Sequence, residues 1–179
     1  MENTQTKIYG PYIPSMLNKK VCLAISEIGK NVKQNLEKKL RNNIEGKCIP
    51  EGYIRQGSVT IITYSSGNVL NGKVEFQVTL ECQICYPVEG TLIECLAKTI
   101  TKAGIHGEVK DEDGNVPINV FIARDHHISD NYFTKIKEGD KFTASVIGVR
   151  FELNDPYITS VASLKKDYNN KKERIKIDK

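Results

Sequence analysis

The sequence predicts an α+β fold: a small sheet carrying one packed helix, followed by a closed barrel of five short strands. Three patterns point to it. Apolar residues recur every four positions in only one segment, residues 31–46. A long run, VEFQVTLECQICYPV, alternates apolar and polar. From residue 90 the chain becomes a series of short β runs separated by glycines and an acidic turn.

Taken in order, KKVCLAI (residues 19–25) is a short apolar strand candidate. In NVKQNLEKKLRNNIEG, Val32, Leu36 and Leu40 recur every four residues and Ile44 extends the stripe, giving a helix with one apolar face that stops at Gly46. Lys30, Lys33, Lys38, Lys39 and Arg41 share its other faces with Glu37; this reads as a solvated outer surface, with a binding patch as the alternative. GYI and SVTIITYSS follow as strands, then turns at residues 67–68 and 71–72. In the long strand, Val74, Phe76, Val78, Leu80, Cys82 and Ile84 fall on one face.

That strand contains Cys82 and Cys85, spaced as in metal and redox motifs. A structural zinc needs about four ligands, yet there is no second such pair, and His106, His126 and His127 lack the spacing of a finger. A redox pair normally opens a helix, whereas this one lies within a strand. Cys82 is expected to be a small core residue and Cys85 to face the opposite side.

Residues 90–164 give two or three β runs broken at Gly104, Gly107 and the turn KDEDG (residues 110–114). After the connecting piece ARDHHISDNYFTKI, two more strands follow in KFTASVIGVRFELNDPYITSVASL. Five strands with the longest insert between the third and fourth form the pattern of an OB-fold barrel.

Composition agrees with an ordered protein: 179 residues, 39% apolar and 27% charged, suffice for one core or two small ones. No basic start with an apolar run opens the chain, and no window nears the roughly 18 apolar residues of a membrane span. A soluble, non-secreted protein is expected, with its five cysteines reduced.

Three segments in register carry a resemblance: LEKKLRNNIEGKCIPEGYI, then VEFQVTLECQICYPVEGTLIECLAKTITKAGI, then ITSVASLKKDY. Between about residues 19 and 168 the chain resembles the stalk subunit of multisubunit RNA polymerases: the seventh subunit of polymerase II, its archaeal relative, the polymerase I and III counterparts and versions carried by large DNA viruses. The junction YPVEG (residues 86–90), followed by a strand and KAG (residues 102–104), is its most specific part.

The resemblance implies a tip domain over residues 1–88 that docks on the polymerase core at the base of its clamp. An OB barrel over residues 89–166 would meet nascent single-stranded RNA, and residues 167–179 would form a basic tail. It implies an obligate heterodimer with a second stalk subunit, like the fourth of polymerase II, and a non-catalytic role with no cofactor. Pro87 and Gly90 become the domain hinge. Ser66, Gly67, Asn68, Val69 and Leu70 fall where the family's tip loop docks on the polymerase. The compartment would be the nucleus for a cellular protein, and the virion or host cytoplasm for a viral one; the richness in Lys, Ile and Asn fits an AT-rich genome.

No nucleophile elbow, phosphate-binding glycine loop or carboxylate metal cluster appears in the sequence. The acidic residues 111–113 read as a solvated hairpin turn rather than a cation loop. Residues 1–89, 90–164 and 165–179 carry net charges of +3, −3 and +4, so the barrel itself is acidic. Phosphate neutralisation supplies most sequence-independent affinity for nucleic acid, so RNA contact depends on Lys98, Lys102, Arg124 and Lys141 sharing a face, with His106 as a stacking ring. RNA-binding barrels commonly place an aromatic just after the glycine matched by Gly104, whereas here Ile105 and His106 follow. The basic tail is an alternative source of phosphate contacts. The competing reading, a free-standing OB-fold RNA-binding protein such as a translation-associated factor, explains the barrel but not the head; a thiol enzyme using Cys82 and Cys85 is a third.

Overall fold

The computed structural model of the chain describes residues 10–128 and 130–165. They divide into two compact units: Pro11–Tyr86 with Phe151–Ile158, and Pro87–Arg150 with the residues from Thr159 onward. The basic tail expected over residues 167–179 lies outside the described residues.

In the first unit, β1 (Ile13–Ala24) pairs antiparallel with the long strand β6 (Lys73–Cys85), in register from Ile13 opposite Ile84 to Ala24 opposite Lys73. The other edge of β6 is shared by three short strands, β3 (Gly52–Ile54), β4 (Thr60–Tyr64) and β5 (Asn68–Leu70). Strand β2 (Cys48–Ile49) extends the sheet beyond β3. The alternation read from the sequence is realised: Val74, Phe76, Val78, Leu80, Cys82 and Ile84 are buried. Helix α1 (Val32–Ile44) lays Leu36, Leu40 and Ile44 on that core, with Val32 partly buried at its margin.

Local differences from the sequence reading have physical causes. Strand β1 starts at Ile13 rather than Lys19, because the length of β6 offers it a partner along its whole extent. Pro14 is tolerated because an edge strand leaves one side of its backbone without ladder partners. No turn forms at residues 67–68. Gly67 instead passes against the Val74 and Phe76 side chains, where any Cβ would collide, and the chain enters β5 directly. The tight turn is at Asn71 and Gly72, with φ of 48° and 73°, as a two-residue hairpin of primed type requires.

Part of the polar surface of α1 is structural rather than solvated. Arg41 donates to the Val59 carbonyl from Nε (3.2 Å) and Nη2 (3.1 Å), while Glu45 accepts from the Val59 N–H at 3.0 Å and Glu37 from the Ile61 N–H at 3.4 Å. Three residues at helical four-residue spacing thus satisfy backbone groups beside β4 that would otherwise go unpaired. The segment Phe151–Ile158 also joins this unit: Cys48 N–H donates to the Asp155 carbonyl and Asn154 N–H to the Cys48 carbonyl, both at 2.8 Å.

The second unit is a closed barrel of β7 (Leu92–Ile100), β8 (Gly104–Val109), β9 (Ile118–Ala123), β10 (Lys141–Arg150) and β11 (Ile158–Lys165), in the spatial order β7-β8-β9-β11-β10. Closure comes from β10 pairing with β7. The order of three strands, then the fifth, then the fourth, is that of an OB-fold. Inward-facing Ile93, Ile105, Ile118, Val120, Ile122 and Phe142 fill it, and the small buried residues Ala97 and Ala144 concede space in the core. Gly107 makes the same concession: a Cβ there would come within 2.8 Å of Phe142 Cζ.

Gly104 is held more tightly, since a Cβ would run into the Ile122 carbonyl oxygen and come within 3.0 Å of the Phe121 ring. Backbone cannot yield as a flexible side chain can. Gly104→Ala is therefore expected to destabilise the barrel by about 2 kcal/mol in thermal unfolding. Gly148→Ala, which meets nothing within 4 Å, should stay within about 0.5 kcal/mol of wild type. Equal effects of the two substitutions would show that the close approach at Gly104 is not what constrains the site.

Candidate nucleic-acid interface

The outer surface of β8 and β9 is where an OB barrel of this order meets oligonucleotides, together with the loop joining its first two strands. Here that loop is Thr101, Lys102 and Ala103. Thr101 N–H donates to the Gly104 carbonyl at 2.9 Å and Gly104 N–H to the Thr101 hydroxyl at 3.3 Å, so Lys102 is held at the tip of a rigid turn and exposed.

Along β8 the side chains alternate, with Ile105 buried and His106 exposed. The register sets His106 opposite Phe121 of β9. Their rings lie 4.8 Å apart at an interplanar angle of 44°, and Phe121 also covers Gly104. The sequence singled out His106 as a candidate stacking ring; the structure sets Phe121 against it. An aromatic ring from the neighbouring strand thus lies beside Gly104. The alternation of INVFIA, in which Ile118, Val120 and Ile122 face inward, already places Phe121 outward, but only the strand register shows which residue it faces.

The candidate cations do not form one free basic face. Lys98 pairs with Glu108, which also holds Lys110 at 3.7 Å. Lys141 pairs with Glu94 at 2.8 Å across the β10–β7 ladder, and the hydrogen bond and charge of that carboxylate raise the lysine's pKa. Arg124 is half-buried: Nη2 donates to the Thr101 carbonyl at 3.2 Å, its backbone N–H to the Ala103 carbonyl at 2.9 Å, and the guanidinium lies 5.3 Å from the centre of the Phe133 ring. It braces the turn that carries Lys102. The acidic turn satisfies itself, with Asp111 Oδ1 accepting from the backbone of Asp113 and Asn115.

In the first unit, the residues assigned to docking are on the surface. Ser66, Gly67 and Asn68 are exposed, as are Val69 and Leu70 at 71% and 54%. At the junction, the boundary between the units falls between Tyr86 and Pro87. Pro87 is buried, and Gly90 turns at φ 83° while its N–H donates to the Val146 carbonyl at 2.8 Å. Burial pushes the Cys82 thiol up to about 11, with Glu51 adding to the effect, and the Cys85 thiol up to about 12, with Cys48 adding. Both are protonated at neutral pH, which does not suit a nucleophile.

No family model matches the chain. It is 27% identical over 163 residues to a protein of Acanthamoeba polyphaga mimivirus described as a DNA-directed RNA polymerase subunit, covering 86% of this chain and 81% of that one. It is 26% identical over 157 residues to DNA-directed RNA polymerase II subunit 7 of Arabidopsis thaliana, covering 78% and 84%. To the corresponding polymerase II subunit of Glycine max it is 26% identical over 161 residues, again covering 78% and 84%. Over most of its length the chain is thus homologous to RNA polymerase subunits of a virus and of plants, related to the seventh subunit of polymerase II.

One titratable group ties the long insert to the last strand of the barrel. The imidazole of His127 stacks on Phe133 (5.5 Å between centres, 13° between planes), and its Nε2 accepts the Leu164 N–H at 3.2 Å. Burial lowers its pKa below the usual 6.5, outweighing Asp130, which raises it; His126 lowers it further. The folded state therefore prefers the neutral ring. Stability from this group is complete above the unfolded pKa of about 6.5 and is lost as pH falls below it. The unfolding midpoint is expected to drop between pH 7.5 and 5.5, and His127→Gln to flatten that drop; parallel profiles would remove His127 as its source.

Proposed function

We propose that the chain is a non-catalytic stalk subunit of a DNA-directed RNA polymerase. It docks near the base of the clamp beside a second stalk subunit and contacts nascent RNA. The observation that carries this reading is homology to polymerase subunits that extends over 86% of the chain and so covers residues of both units. A free-standing OB-fold RNA-binding protein would account for the barrel but not for this likeness through the head. The strand order of the barrel and the His106–Phe121 ring pair support the RNA contact. Exposed Val69 and Leu70 support docking by residues 66–70, since apolar side chains on a hairpin suit a preformed groove.

In this reading residues 1–88 form the tip, 89–166 the RNA-facing barrel and 167–179 a basic tail, with Pro87 and Gly90 at the joint. The chain contributes binding rather than chemistry and needs no cofactor. A cellular member acts in the nucleus and a viral one in the virion or host cytoplasm. No helix among the described residues is long and apolar enough to cross a membrane.

The RNA contact proposed here is of an unusual balance. With Lys98 and Lys141 engaged by carboxylates, ring stacking outweighs phosphate neutralisation, so affinity for single-stranded RNA should be modest and only weakly dependent on salt. Replacing His106 and Phe121 together by Ala is expected to weaken binding of a uridine oligomer to the stalk heterodimer by about 1–3 kcal/mol with little change in salt slope. A steep slope that the double substitution leaves intact would move the contact to the tail or the partner. For docking, Val69→Asp with Leu70→Asp should cost a few kcal/mol of association with the polymerase core while the fold persists. Stoichiometric co-purification of that variant in high salt would exclude residues 66–70 as the anchor.

A further inference from the structure

Strand β1 is paired with β6 on one side, and among the described residues no strand pairs with its other side. Beside it, between β1 and α1, lies a cleft of about 350 Å³. Four consecutive β1 residues, Lys19, Lys20, Val21 and Cys22, line it. Successive residues of a strand point to opposite faces, so a cleft that touches all of them runs along the strand's edge, where N–H and C=O groups stand open. Its floor is apolar, formed by buried Val21, Leu40 and Ile44.

The rim is basic. Lys39 on α1 and Lys73 at the start of β6 also line the cleft, and neither has a carboxylate partner among the described residues. Lys19 pairs with Glu51 at 2.8 Å and Lys20 with Glu75 at 3.4 Å, and both of those carboxylates lie outside the lining of the cleft. No acidic residue and no aromatic ring lines it.

We propose that this cleft is a docking groove for an extended acidic segment of a partner protein, which adds as a strand to the open edge of β1. Main-chain pairing supplies affinity, and alternate side chains supply selection. One side of the added strand faces the floor of Val21, Leu40 and Ile44 and takes apolar residues; acidic residues meet Lys39 and Lys73. The ligand is a peptide rather than a nucleic acid because the groove offers a backbone ladder and no ring for a base to stack on. The inference rests on the first unit and stands apart from the polymerase reading.

Cys22 provides a built-in reporter, being exposed while the other four cysteines are buried. The test uses the full chain with a ten-residue peptide alternating Glu and Val, the same peptide with Lys for Glu, and a ten-nucleotide uridine RNA. The Glu peptide is expected to bind, to slow alkylation of Cys22 by iodoacetamide, and to lose about tenfold in affinity when Lys39→Glu and Lys73→Glu are combined. Lys39→Gln with Lys73→Gln serves if charge reversal unfolds the chain, and Cys22 protection in the wild type needs no variant. The proposal is overturned if the Glu peptide does not bind, if the Lys peptide binds equally, if the substitutions leave affinity unchanged, or if the RNA protects Cys22 and the Glu peptide does not.

Discussion

The pairing of β6 with its neighbours holds the first unit together. Its thirteen residues accept β1 along one edge and β3, β4 and β5 in succession along the other. Each of those short strands could form few hydrogen bonds alone, and a two-stranded hairpin is marginal in water. Their order is imposed by a template whose inward side chains already form half the core. Helix α1 is fixed by the same face, and its Glu37, Arg41 and Glu45 then complete the backbone hydrogen bonding beside β4. A shift of β6 by one residue would turn its whole apolar set outward and remove the seat of the helix.

The barrel obeys a different constraint, the volume of its interior. Phe142 is its largest fully buried side chain, and Gly107 is the point at which the wall gives way to it. Because the interior takes every second side chain, the outer surface of β8 and β9 is left to His106, Glu108, Asn119 and Phe121. The same alternation that builds the core therefore composes the candidate binding surface. The carboxylates on that surface and on β7 draw the nearby lysines into pairs, which leaves less free positive charge there.

Charge is divided unevenly along the sequence. Residues 1–89 carry a net charge of +3, and four of their lysines, Lys19, Lys20, Lys39 and Lys73, line the cleft beside β1. Residues 90–164 carry a net charge of −3, with Lys98, Lys110 and Lys141 matched by carboxylates while Lys102 and the His106 ring stay exposed. A basic patch beside a stacking platform would hold any polyanion without discrimination, so keeping the two apart favours selectivity.

Much of this was legible in the sequence. The periods of residues 31–46 and 74–84 announced the helix and the template strand, because both are set by local geometry: one face buried and one exposed. The five β runs and the long insert before the fourth announced the barrel, since turn chemistry marks strand ends. Pairing between distant segments was not legible. The extension of β1 back to Ile13, the entry of residues 68–70 into a strand and the anchoring of Asn154 and Asp155 to Cys48 all depend on backbone groups, which every residue carries alike. The site divided in the same way. Residue type marked out His106 and the lysines, whereas the partner of each, Phe121 for the ring and Glu94 and Glu108 for the lysines, was decided by strand register, a property of two segments that neither one specifies alone.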